Sequence, residues 1–184
     1  MKKNILFNIL WLLLAACHGG GQQPEATSPN PSYRTTAPSL LFFRNMRSSF
    51  YEQTEQPGTR IELYRLRKFN RLKPAPVLVP VIANNWLEDE AYLLLEQGGA
   101  NNRLASPITI KWLSEGDTGV YRLERPTAEG QYKLALELNE SIQAGHQLQA
   151  LAPDSTWAPI FEGSDIRSYF TTTARDYLRL TEAL

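Results

Sequence analysis

Phe50–Phe69 reads FYEQTEQPGTRIELYRLRKF, and this stretch decides the fold. Ile61 and Leu63 alternate with Arg60 and Glu62, and Tyr64 and Leu66 follow between Arg65 and Arg67. A period of two in β-forming residues is a strand with one wet face. Glu55-Gln56-Pro57-Gly58 supplies the turn before it. Pro57 presets φ, and Gly58 accepts a positive φ at no steric cost. Phe50–Thr54 then becomes the antiparallel partner, so the domain opens on a β-hairpin.

A second hairpin follows the same logic. Ile108–Leu113 (ITIKWL) and Val120–Glu124 (VYRLE) flank a turn over Glu115–Gly119. Further strands are predicted over residues 90–96 and 146–151. Val77–Ala83 reads as a short edge strand, because Pro80 cannot donate to a ladder. Asn85 also suits a helix cap with acids after it, but AYLLLE running into Gln97-Gly98-Gly99 favours the strand.

Helices are fewer. Leu134, Leu138 and Ile142 recur at i, i+4 and i+8, Thr127 stands at an N-cap position, and Gly145 at a C-cap. This predicts a helix over 128–143, although Tyr132, Leu134, Leu136 and Leu138 also alternate as a strand would. Ser164-Asp165 caps a helical turn through Tyr169. The threonine run in Phe170–Leu180 (FTTTARDYLRL) favours a strand. The fold class is therefore mainly β, antiparallel and β-sandwich-like, with one or two short helices; the alternative is α+β.

The first seventeen residues, MKKNILFNILWLLLAAC, are of another kind. Lys2 and Lys3 precede an apolar run from Ile5 to Leu14, too short for a comfortable span and right for the core of a signal peptide. Leu14-Ala15-Ala16-Cys17 then resembles the lipobox of bacterial lipoproteins. The resemblance implies cleavage before Cys17, a diacylglyceryl group on its thiol and acylation of the new amine. Two or more chains anchor a protein stably. It also implies a membrane-held place in the cell envelope. His18, where an aspartate favours inner-membrane retention, leans towards the outer membrane.

Three segments follow: a signal peptide over 1–16, the lipidated cysteine and a flexible tether over 17–38, and one globular domain over 39–184. The tether reading rests on HGGGQQPEATSPNPSYRTTAP, rich in Gly, Gln, Ser, Thr and Pro. About 145 residues remain, enough for one domain with its own core. The 19 basic residues fall to 17 once Lys2 and Lys3 leave with the leader, against 19 acidic ones, a net of −2. Nucleic acid is thus not an expected partner, since it calls for a basic face. The basic run Arg60, Arg65, Arg67, Lys68, Arg71 and Lys73 reads first as a solvated strand face that blocks edge pairing, and second as a patch for lipid head groups or acidic glycans.

Chemistry-bearing groups are scarce. Cys17 is the only cysteine, and His146 is the only histidine of the globule. Neither zinc spacing nor a G-x-S-x-G elbow occurs, so no cofactor or metal is expected. Glu88 and Glu90 can share one strand face, which suits paired-carboxylate hydrolysis of a polymer if they line a cleft. Trp86, Trp112 and Trp157 can stack on sugar rings or dock a peptide if exposed. The expected function is a lipid-anchored, non-catalytic binding domain for an envelope protein or a glycan; the alternative is a polymer hydrolase.

Overall fold

The computed structural model describes residues 33–73, 77–98 and 104–183. The leader, Cys17 and residues up to 32 lie outside the described residues.

The chain forms two four-stranded antiparallel sheets with helices packed on them. A helical lead-in comes first: α1 (Ala37–Phe42), a π-turn (Phe43–Arg47) and a 3₁₀ turn (Ser48–Phe50). The first sheet is a meander of β1 (Tyr51–Glu55), β2 (Ile61–Leu66), β3 (Leu78–Asn85) and β4 (Glu90–Gln97), with a 3₁₀ turn over Arg67–Arg71 between β2 and β3. The second contains β5 (Ile108–Ser114), β6 (Asp117–Leu123), β7 (Gln147–Leu151) and β8 (Trp157–Ile160), in the order β6-β5-β7-β8. Helix α2 (Ala128–Gln143) connects β6 to β7, and α3 (Ser164–Leu180) ends the fold.

Both predicted hairpins form. Tyr51 pairs with Leu66 and Glu55 with Glu62, and Gly58 takes φ +74° in the turn. The second hairpin turns more tightly than expected: β6 already begins at Asp117, opposite Ser114.

The prediction for Val77–Ala83 needs correction. β3 is an interior strand, paired with β2 on one side and β4 on the other. It tolerates Pro80 because the β2 pairing ends at Arg65–Val81, one residue short of the proline. The missing N–H falls where no ladder bond is due.

The helix predicted over 128–143 forms as α2, with those bounds, and α3 is longer than expected. In α2 the Thr127 hydroxyl accepts the Gly130 N–H at 3.1 Å. At its other end Gly145 (φ +78°) reverses the chain, while Gly145 N–H donates to Ile142 and His146 N–H to Ser141. That is a Schellman closure.

Residues 170–180, expected as a strand, belong instead to α3. Phe170, Thr173, Ala174, Tyr177 and Leu180 are buried at helical spacing. Burying a large apolar side chain is worth about 1.5–3 kcal/mol. Threonine in a helix costs at most about 0.7 kcal/mol. Thr172 and Thr173 donate to the carbonyls of Ser168 and Tyr169, which satisfies their hydroxyls within the helix. Packing therefore overrides the local preference.

The helices build the core. α3 lies on β3 and β4; α2 lies on β4, touches β6 and β7, and packs against α3. Side chains of both sheets and both helices form one cluster, from Tyr64, Ile82 and Leu93 to Ile110, Leu138, Leu148 and Phe170.

The fold also starts earlier than Ser39. Tyr33 O accepts from Ala91 N–H and Thr35 N–H donates to Asp89 O, both at 2.7 Å, so this segment lies along the edge of β4. Thr36 and Ser39 then close a capping box at the head of α1. Residues 33–38, assigned above to the tether, are part of the domain.

Candidate functional site: the outer face of the second sheet

Alternation along β5 divides the second sheet into two faces. Ile108, Ile110 and Trp112 face the helices; Thr109, Lys111 and Leu113 face outward. The register carries this across all four strands: Val120 opposes Lys111, Lys111 opposes Gln149, and Gln149 opposes Pro159. Trp157, two residues before Pro159, shares that outer face.

The face is amphipathic. Val120 is 57% exposed and Trp157 38%. The Lys111 ammonium stands 4.5 Å from the centroid of the Trp157 ring, an exposed cation–π contact worth about 0.5–1 kcal/mol. Pro159 is tolerated because β8 is the edge strand of its sheet.

Where β7 begins and β8 ends, a cleft of about 350 Å³ opens, lined in part by Gln147, Gln149, Pro159, Glu162 and Arg167. Its shape depends on the bend into α3. Phe161 has φ +56° and Gly163 φ +93°. Arg167 holds that bend by donating from Nε to Phe161 O at 2.9 Å and from Nη2 to His146 O at 2.7 Å. An exposed indole, a cation and two carboxamides are the groups that engage hydroxylated rings by stacking and hydrogen bonding.

The three candidate tryptophans do not form one platform. Trp157 is on this outer face. Trp112 is on the inner face of the same sheet, half-buried, its indole stacked on His146 at 4.8 Å and 20°. It fits there because Gly119 opposes it. Trp86 belongs to the β3–β4 turn of the first sheet, with the Arg60 guanidinium 5.5 Å from its ring centroid. Only Trp157 and Trp86 are exposed.

The other candidates are accounted for by local contacts. His146 Nδ1 lies 3.3 Å from Ser141 Oγ, which also meets the Tyr121 hydroxyl at 2.8 Å. Ser141 is buried, so this trio braces the end of α2 against β6. Glu88 is exposed in the β3–β4 turn, whereas Glu90, in β4, accepts the Tyr92 hydroxyl. That bond, with burial and the negative charge of Glu90, pushes the Tyr92 phenol up to about 12. Among the described residues no three His, Cys, Asp or Glu side chains are grouped as metal ligands, and no helix is long and apolar enough to cross a membrane. Cys17 lies outside the described residues.

Sequence reasoning missed Lys111, Gln149 and Val120. The signal was present in the alternation of ITIKWL and VYRLE, but the register that aligns these residues across four strands is not readable from one chain. No protein-family model, curated protein or solved structure matches the chain.

Proposed function

We propose that this chain is an exported lipoprotein, acylated at Cys17 and held at the outer membrane, whose domain is a non-catalytic binding module for an envelope glycan. The leader and the Leu14-Ala15-Ala16-Cys17 sequence support the anchor. The observation that carries the binding role is the Lys111–Trp157 pair on the open face of the second sheet, beside the Gln147–Gln149 cleft. Stacking of a sugar ring on an exposed indole needs no catalytic group, and the neighbouring carboxamides can read hydroxyl positions.

Two measurements test it. In detergent phase partition, wild type enters the detergent phase and Cys17→Ser stays aqueous; if both stay aqueous, the anchor is wrong. In co-sedimentation with purified peptidoglycan sacculi, wild type pellets. A Trp157→Ala variant with unchanged thermal unfolding remains in the supernatant. Equal sedimentation of the two forms removes this face as the glycan site.

A further inference from the structure

Four exposed apolar side chains sit together in the lead-in to the first sheet: Leu41 (61% exposed), Phe42 (46%), Met46 (59%) and Phe50 (49%). Phe42, Met46 and Phe50 follow at i, i+4 and i+8, and Leu41 and Met46 are one π-turn apart. The opposite side of the same segment is fixed to the domain. Phe43 is buried against Tyr51 and Tyr64, and Arg47 is paired with Asp176. The segment is therefore rigidly mounted with an apolar side left open.

The topology brings cations to this same end. Tyr51, which opens β1, opposes Leu66, which closes β2, so the lead-in that ends at Phe50 and the turn that begins at Arg67 lie at the same end of the sheet. The turn after β2 carries Arg67, Lys68 and Arg71, and Lys73 follows; all four are exposed. Among the described residues none of the four is ion-paired with a carboxylate. Glu52 is bonded to this turn through Asn70, whose amide donates to its Oε2 at 2.9 Å. Both the lead-in and the turn pack on α3, and Lys68 stands 5.2 Å from the Tyr169 ring centroid of that helix.

We infer that this end of the first sheet, Leu41, Phe42, Met46 and Phe50 with Arg67, Arg71 and Lys73, is a docking face for the surface of an anionic lipid bilayer. Apolar side chains enter the headgroup boundary while cations meet lipid phosphates, the arrangement of an interfacial amphipathic segment. Patches of this kind mark interaction sites on soluble domains. The inference rests on the lipoprotein reading for its tether. Residues 18–32 separate Cys17 from Tyr33, so an acylated Cys17 holds Tyr33 within about 55 Å of the bilayer at full extension. The lead-in begins four residues after Tyr33. At that effective concentration a weak face suffices.

The test uses the full chain, purified in detergent and reconstituted into vesicles of phosphatidylcholine alone, or of equal parts phosphatidylcholine and phosphatidylglycerol. Cys17 is the only cysteine. Once it is acylated, a Met46→Cys variant offers one free thiol for a polarity-sensitive dye; Glu115→Cys, in the β5–β6 turn, is the control. Emission from position 46 is expected to shift to the blue on anionic vesicles and not on neutral ones, while position 115 does not shift. Replacing Arg67, Arg71 and Lys73 together by Gln is expected to abolish the shift. Unchanged emission from position 46 on anionic vesicles overturns the docking face, as does a shift that survives the triple replacement. Flotation with neutral vesicles reports the anchor separately. If it fails, the anchor reading falls. Flotation on anionic vesicles, expected to weaken about fivefold for each cation replaced, then decides the docking face on its own.

Discussion

Arg47 Nε lies 2.9 Å from each carboxylate oxygen of Asp176, and the Tyr51 hydroxyl donates to the same carboxylate at 2.7 Å. The helical lead-in and β1, consecutive in sequence, are both tied to the distant α3 at one carboxylate. Its side chain is only 3% exposed, against 26% for the arginine.

Removing Asp176 takes the shared partner from both the Arg47 guanidinium and the buried Tyr51 hydroxyl. Asp176→Ala is expected to destabilise the domain by about 3 kcal/mol or more. The double variant Arg47→Met with Asp176→Leu should recover much of that loss, since it removes both charges together. Urea unfolding midpoints of the single and double variants check this. A double variant as unstable as Asp176→Ala would show that the charges themselves hold the three elements.

Gly119 is fixed by its cross-strand neighbour. A Cβ there would stand 2.5 Å from Trp112 Nε1 and 2.7 Å from its Cε2, and the indole is stacked on His146 and cannot swing away freely. Gly119→Ala should cost about 1–3 kcal/mol through overpacking. Adding Trp112→Leu should relieve the clash. Denaturation of both variants, with near-ultraviolet circular dichroism to follow the indole, tests the account.

Thr127 opens α2 with a single side-chain bond. Thr127→Ala should cost about 1 kcal/mol, and Thr127→Ser almost nothing, because the hydroxyl is what caps Gly130 N–H. Thermal unfolding of the two variants separates them. An equal loss in both would mean that the threonine methyl, not the cap, carries the effect.

Alkali should unfold the domain. The hydrogen bond to Glu90, with burial and nearby negative charge, raises the Tyr92 phenol from 10.0 to about 12. Burial, reinforced by the Asp176 carboxylate, raises Tyr51 further, and burial also raises Tyr64 and Tyr177. A folded-state pKa above the unfolded value means that the native state holds the proton more tightly. The stabilisation is complete below pH 10 and is lost as pH climbs towards 12 and beyond. The urea midpoint should fall across that window, with tyrosinate absorbance rising in step. Tyr92→Phe should flatten the fall. A midpoint that stays constant from pH 10 to 12 would contradict the assignment.

Much of the fold was legible in the sequence where local and tertiary preferences agree. The Pro57-Gly58 turn, the alternation in Ile61–Leu66 and the Thr127 and Gly145 caps all point one way, and those elements form. The reading failed where tertiary context decided the outcome. The threonine run of α3 has strand preference, but Phe170, Ala174 and Tyr177 bury at helical spacing and outweigh it. Pro80 looked like an edge marker, and only the point where the β2–β3 pairing stops shows why an interior strand can hold it. The candidate site was legible in part. Trp157 could be named from residue type alone, whereas Lys111 and Gln149 become its neighbours only through the pairing of β5 with β7. Trp112 carried the same chemical signal as Trp157, and the parity of its strand turned it inward.

The capping of the β4 edge by Tyr33–Thr35 sets a rule for any shortened form of this protein. A fragment cut to begin at Ser39, where the composition changes, would discard the Tyr33 ring that packs 5.2 Å from Tyr92, both hydrogen bonds to β4 and the Thr36 cap of α1. It would also lose the bond between Thr36 and Glu182, by which the entry of the chain clasps its far end. The cost would be more than stability. Bare N–H and C=O groups at Asp89 and Ala91 would offer a second molecule somewhere to pair, and the shortened domain would be purified as a mixture of aggregates.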